Sequence, residues 1–119
     1  MWPINYTYEY EEWFTEQEED DQMAINAKVL VLSEFGPHLG RPYVDTIHGS
    51  KIPNLKELRI KYKNTLFRIL FCFDKIRNCW LLIGGNKKGK NEEQFYRRLI
   101  KQAEELIDKY PEITEERDA

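Results

Sequence analysis

Two cysteines and two histidines are all that 119 residues offer of the side chains that staple small proteins or hold soft metals. Cys72 and Cys79 alone make neither a disulfide scaffold nor a zinc site and are expected to be buried free thiols. His38 and His48 have no carboxylate or thiol at ligand-like spacing beside them, so neither a metal nor a cofactor is expected. No run approaches the roughly 18 to 20 apolar residues needed to span a bilayer. Met1 to Tyr10 lacks the basic and apolar regions of a signal peptide, which points to a cytoplasmic protein with no membrane partner. No Gly-x-x-x-x-Gly-Lys-Ser/Thr occurs, which argues against a nucleoside triphosphate site, and Ser33 and Ser50 have no nucleophile-elbow context.

Apolar residues make up 41% of the chain and aromatics 13%, enough for one compact core and too little length for two. One domain is expected over 1–111, followed by a charged, frayed tail over 112–119. The net charge of −3 conceals a strong asymmetry. Residues 1–40 carry one basic side chain, Lys28, against nine acidic ones; residues 41–101 carry fifteen against five; residues 102–119 carry two against seven. A central block at +10 between ends at −8 and −5 is the pattern of a surface that meets a polyanion. Salt bridging between segments is the plainer reading.

Ile4, Tyr6, Tyr8 and Tyr10 alternate with polar residues, which predicts a first strand. Thr15 with Glu18 three residues on fits a capping box, so a helix is expected from there to Gly36-Pro37, with Ala24, Ala27, Leu30, Val31 and Phe35 as its apolar stripe. A Gly- and Pro-bearing connection follows, with at most a short extended piece around Tyr43 to His48. Leu55 to Tyr62, Leu66 to Asp74 and Cys79 to Gly84 then read as a three-strand antiparallel meander. Asn91 and Gln94 open a last helix carrying Tyr96, Leu99, Ile100, Ala103, Leu106, Ile107 and Tyr110, which Pro111 stops. The class is α+β: an antiparallel sheet of about four strands packed with N-terminal helices and a C-terminal helix.

Alternation puts Glu57, Arg59 and Lys61 on one face of the first hairpin strand. With a two-residue loop at Lys63-Asn64, Arg59 faces Arg68 directly; with a loop at Asn64-Thr65, Lys61 does. Like charges opposite each other destabilise a sheet, so an anionic ligand is wanted there, or Glu57 and acids from the N-terminal helix must neutralise the arginines. The loop Gly84-Gly85-Asn86-Lys87-Lys88-Gly89-Lys90 leads into a helix N-terminus, where amides and dipole favour phosphate, and its glycines let backbone approach a ligand. With RNA as ligand, its own 2'-hydroxyl attacks the adjacent phosphorus without a metal. Lys87 or a neighbouring lysine is then a candidate base, Arg59 and Arg68 stabilise transition-state charge, and Tyr96 donates or orients. Lys56, Lys61, Lys88 and Lys90 are the flanking cations expected to hold RNA. Alanine at Arg59, Arg68 or Lys87 is expected to abolish cleavage and leave folding intact. His48 is a turn residue in the plainer reading and an additional acid-base group in the other.

Four stretches carry a family resemblance: Gly36-Pro37-His38-Leu39-Gly40-Arg41-Pro42 with Val44-Asp45-Thr46, Asn54-Leu55-Lys56-Glu57-Leu58-Arg59, Phe67-Arg68-Ile69-Leu70-Phe71, and Leu82-Ile83-Gly84-Gly85-Asn86-Lys87. In this order they resemble the phage-derived HigB-type branch of the RelE/ParE toxin superfamily, over most of the chain. The resemblance implies a RelE-like sheet backed by helices, ribosome-dependent cleavage of messenger RNA by a toxin of a type II toxin-antitoxin system, and a cognate antitoxin with a helix-turn-helix domain. It points to Arg59, Arg68, Lys87 and Tyr96 as site residues. It also admits two alternatives: a ParE-like toxin that inhibits DNA gyrase on the same fold, or an inactive RNA-binding relative. One departure stands out, because the family usually has Asp where this chain has Asn86.

Overall fold

The structure is a computed structural model and describes residues 1–114. Among these residues the chain forms β1 (Ile4–Tyr6), α1 (Tyr8–Thr15), α2 (Glu19–Phe35), a 3-10 turn at Gly36–His38, β2 (Val44–Thr46), β3 (Lys56–Tyr62), β4 (Thr65–Phe73), β5 (Cys79–Asn86), α3 (Glu92–Lys109) and a second 3-10 turn at Pro111–Ile113. The strands make one sheet in the order β1-β5-β4-β3-β2. The meander β3-β4-β5 is antiparallel, as its spacing predicts, and β2 joins it antiparallel. The expected first strand β1 pairs with β5 in parallel, Ile4 opposite Cys79, and β2 is the added strand, so the sheet is mixed and five-stranded rather than antiparallel with about four.

Helices cover both faces. On one, Leu58, Ile60, Phe67, Ile69 and Phe71 pack with Tyr10 of α1 and with Ile25 and Leu32 of α2. On the other, Leu55, Leu70, Cys72, Leu82 and Ile83 pack with Phe95, Leu99, Ala103 and Leu106 of α3. Both thiols are free and buried, one in each layer, and burial pushes the Cys72 thiol up to about 12. Such thiols are poor nucleophiles and serve as small apolar side chains.

The N-terminal region departs from its sequence pattern in three ways. The alternating run ends at Tyr6, because Thr7 turns the chain. Its hydroxyl, fully buried, donates to the Leu82 carbonyl at 2.7 Å and accepts from the Tyr10 amide at 2.9 Å, so it pins β5 and caps α1 at once. Tyr10, Trp13 and Phe14 then have helical spacing, which four alternating residues masked. Thr15 closes this helix instead of opening the next: its hydroxyl donates to the Glu12 carbonyl, and α2 begins after Glu18 with no side-chain cap. Finally, α2 buries Ile25 and Leu32, while Leu30 and Phe35 are exposed. Thr7→Val keeps the shape and removes both bonds, so it is expected to cost about 2 kcal/mol, read as a lower urea midpoint.

At the other end, the compact region runs through Ile113, which is buried in the turn after Pro111. Of the expected charged tail, residues 115–119 lie outside the described residues.

Candidate active site

The hairpin between β3 and β4 closes with Lys63-Asn64, Tyr62 opposite Thr65, and Lys63 takes the left-handed backbone the turn needs at φ 50°. This register places Arg59 directly opposite Arg68, on the face covered by α3. The two arginines nevertheless have different surroundings. Arg68 is buried, with its Nε 3.3 Å from Glu57 Oε1 and 3.2 Å from the Tyr96 hydroxyl, and its Nη1 donating to the Phe67 carbonyl at 3.0 Å. The Tyr96 hydroxyl donates to the same Glu57 oxygen at 2.6 Å. Arg59 is half-buried, and among the described residues no carboxylate makes an ion pair with it.

The charge problem of two facing cations is thus resolved unequally. Glu57 neutralises Arg68, as one reading of the pattern anticipates, and Arg59 keeps its charge. The acids of α1 and α2 take no part in this: Asp20 reaches Lys63 at the hairpin tip, and Glu9 reaches Lys109 at the far end of α3. The expectation that Arg68→Ala leaves folding intact therefore fails on physical grounds, since it strands a buried carboxylate.

A cleft of about 430 Å³ opens in front of this cluster. Arg59, Lys87 and Tyr96 line it together, joined by Glu57, Glu92, and Arg41 and His48 from the connection before β3. Arg68 stands behind Tyr96 and Glu57, outside the lining. Lys87 Nζ donates to Glu92 Oε1 at 2.9 Å and lies 5.9 Å from the centre of the Tyr96 ring. That bond, with Arg68 and Arg59 adding to it, holds the Glu92 carboxyl below the usual range. Arg41 is held by Asp45 at 2.7 Å. A larger cavity, about 550 Å³, lies at the C-terminal end of β5 between Trp13 and Arg98, and it contains Lys90 but none of Arg59, Arg68, Lys87 and Tyr96. Charge and proton-carrying groups, rather than size, mark the smaller cleft.

Tyr96 is held in its protonated form. Burial first, then the bond to Glu57, pushes its phenol up to about 12. A raised pKa adds stability that is fully present below the unfolded value of about 10. That stability is lost as pH rises through about 12. Circular dichroism across this alkaline range is expected to show a smaller loss of stability for Tyr96→Phe than for the parent, and equal losses would contradict the raised phenol.

The Gly/Lys loop differs from its expected role as a backbone cradle. Gly84 and Gly85 belong to β5, where a Cβ on Gly84 would sit 2.4 Å from the Trp13 ring and one on Gly85 3.0 Å from Phe95. Their lack of a Cβ admits helix side chains. Asn86 Oδ1 accepts from the Leu66 amide at 3.0 Å and the Lys88 amide at 3.1 Å, a structural task that either an amide or a carboxylate oxygen performs. Of the flanking cations, Lys61 is exposed beside Arg59, and Lys88 and Lys90 are exposed on the loop, with Lys90 Nζ donating to the Asn86 carbonyl. Lys56 shares its strand face with Leu58 and Ile60, so it projects on the side away from the cleft.

Sequence pattern missed Arg41 and read His48 as a turn residue or an additional acid-base group; both reach the cleft through β2, whose edge pairing brings the connection alongside β3. Their position depends on tertiary structure, and no local spacing announces it.

A family model described as Phage derived protein Gp49-like (DUF891) matches residues 12–108. Two proteins of Mycobacterium tuberculosis that carry toxin names are similar in sequence. HigB2 is 40% identical over 96 residues, which are 80% of this chain and 47% of HigB2. HigB3 is 41% identical over 86 residues, 72% of this chain and 73% of HigB3. The chain thus spans about half the length of HigB2. Among solved structures, that of the isolated E. coli RelE toxin matches with a TM-score of 0.58 over 83% of this chain and 96% of the RelE chain, at 11% identity. That is a likeness of fold.

Proposed function

From the premise that this chain belongs to the Gp49-like family of phage-derived proteins, with HigB-type toxins among its relatives and a RelE-like fold, we propose that it is the toxin of a type II toxin-antitoxin system and cleaves messenger RNA on the ribosome. The observation that carries this reading is the cleft in which an unpaired Arg59, Lys87, a protonated Tyr96 and His48 converge. Those groups suit attack by a ribose 2'-hydroxyl on the adjacent phosphorus, without a metal in the reaction. The hydroxyl gives up its proton, the bond to the 5'-oxygen breaks, a proton passes to that oxygen and a 2',3'-cyclic phosphate is left.

In this reaction the phosphorane gains negative charge, and Arg59 is the cation free to meet it. Lys87 is an ammonium already donating to Glu92, so it serves as a second cation at the phosphate rather than as the base. Glu92, held ionised by its cationic neighbours, is a weak acceptor of protons. His48 lines the same cleft, and imidazole is the side chain suited to proton transfer near neutral pH. Tyr96, its proton committed to Glu57, orients the reacting groups and receives Arg68 from behind. Arg68 and Glu57 are positioning residues.

A cognate antitoxin with a helix-turn-helix domain restrains the protein, and its place of action is the cytoplasm, where ribosomes are. Among the described residues no helix is long and apolar enough to cross a membrane. Primer extension on translated messages, with and without ribosomes, tests the reading. Cleavage at fixed positions within codons, seen only with ribosomes, is the expected result. Intact transcripts with relaxed DNA after induction would instead favour a gyrase inhibitor, and RNA binding without cleavage an inactive relative.

A further inference from the structure

Arg59 lines a second recess, of about 380 Å³, on its side away from Lys87, together with Lys28, Pro42, Tyr43, Lys61 and Arg68. Arg68 spends its charge on Glu57. Among the described residues no carboxylate makes an ion pair with Lys28, Arg59 or Lys61. Some surface cations elsewhere are partnered, Lys63 with Asp20 and Arg97 with Glu93, and what sets these three apart is that they share one concavity. Three unpaired cations around one concavity repel one another, and an anion seated among them removes that cost.

The wall between them is aromatic. Tyr43 is 42% exposed, with Lys28 Nζ 4.4 Å from its ring centre. Its backbone is fixed on both sides, the amide donating to Gly40 at 3.0 Å and the carbonyl accepting from Arg59 at 2.8 Å. A large exposed ring on a pinned backbone, beside unpaired ammonium groups, is the combination that holds single-stranded nucleic acid: the base stacks on the ring and its phosphate takes the cations. A peptide carboxylate would use the cations and leave the ring idle.

We infer that this recess is a stacking site for one RNA base next to the cleaved phosphate, with Tyr43 as the platform and Lys28 and Lys61 at the adjoining phosphate. The inference rests on the RNA-cleaving reading above. Arg59, shared by the two concavities, makes the path continuous, because a strand whose reacting phosphate lies on Arg59 in the cleft leads directly onto Tyr43. The Lys28 ammonium rests on the ring at present, and a base that stacks there displaces it toward the phosphate.

Ribosomes programmed with messenger RNA carrying 5-iodouridine at the cleaved codon provide the test, with photo-crosslinks mapped by mass spectrometry. The crosslink is expected on Tyr43. In cleavage kinetics, Tyr43→Ala is expected to raise KM about tenfold with kcat little changed. Tyr43→Phe, which keeps the ring, should behave as the parent, and both variants should melt with the parent. Crosslinks confined to Lys87 or Tyr96 in a cleaving protein, or an unchanged KM in Tyr43→Ala, would overturn the stacking site and leave the RNA reading standing. No crosslink anywhere, with intact message, would overturn both.

Discussion

Arg68→Ala is expected to lower the stability of the fold by about 3–5 kcal/mol, because it leaves the Glu57 carboxylate buried without its cation. Glu57 is 7% exposed and Arg68 4%, so neither charge has water to fall back on. Glu57→Ala should cost about as much for the mirror-image reason. The double replacement Glu57→Leu with Arg68→Met is expected to recover most of the loss, since an apolar pair of similar volume avoids the cost of burying charge. Urea denaturation gives the midpoints, and a slope unchanged among variants shows that stability alone has moved. Cleavage should separate from stability in this series. The double variant folds, but the Tyr96 hydroxyl has lost the acceptor at 2.6 Å and the donor at 3.2 Å that orient it, so cleavage stays impaired. An Arg68→Ala variant with the parent's midpoint would refute the account.

Arg59→Ala should do the reverse. Its side chain is half-buried at the boundary of two concavities and has no ion-pair partner among the described residues, so its removal relieves repulsion and leaves the midpoint within about 0.5 kcal/mol of the parent. Cleavage is expected to fall about 10²–10³-fold, the usual cost of removing one preorganised group from developing negative charge. Arg59→Lys keeps the charge but not the planar fork that meets two phosphate oxygens, and should recover only part of the rate. Measured on ribosome-bound message under single-turnover conditions, a rate within a few-fold of the parent would remove Arg59 from the reaction. The two arginines face each other in one register, yet one variant should be unstable and the other inactive.

That contrast marks where sequence pattern stops being informative. The Arg59–Arg68 register follows from alternation and a two-residue turn, both local, and so does the α3 start at Asn91, whose side chain accepts from Gln94. The meander and the amphipathic last helix rest on the same short-range rules. Which arginine is neutralised does not, because Glu57 lies two positions from Arg59 on β3 and diagonally across the strand pair from Arg68, and the descent of Tyr96 from α3 accompanies its pairing with Arg68. The approach of Arg41 and His48 is likewise invisible locally, since it depends on three residues of β2 adding to the sheet edge. In the N-terminal region the local signals misled: Tyr8 and Tyr10 continue a period of two into a helix, and α2 has apolar residues on more than one side, so its buried face is chosen by the sheet. The Lys56 side chain shows the opposite failure. Alternation alone separates it from Arg59, and charge composition grouped them.

The clasp at Thr7 also orders events during synthesis. Its hydroxyl bonds a carbonyl 75 positions further on, and the Tyr8 amide bonds the Tyr110 hydroxyl 102 positions on. The strand β1 therefore has no strand neighbour until β5 has been made, and the loop closed between them is long enough to slow folding. A growing chain that has reached Asn86 already holds Arg59, Arg68 and Glu57, but Lys87, Glu92 and Tyr96 are still to come. The cleft thus assembles only once α3 has been made, and a chain halted before that helix carries its cations without the machinery that gives them a use.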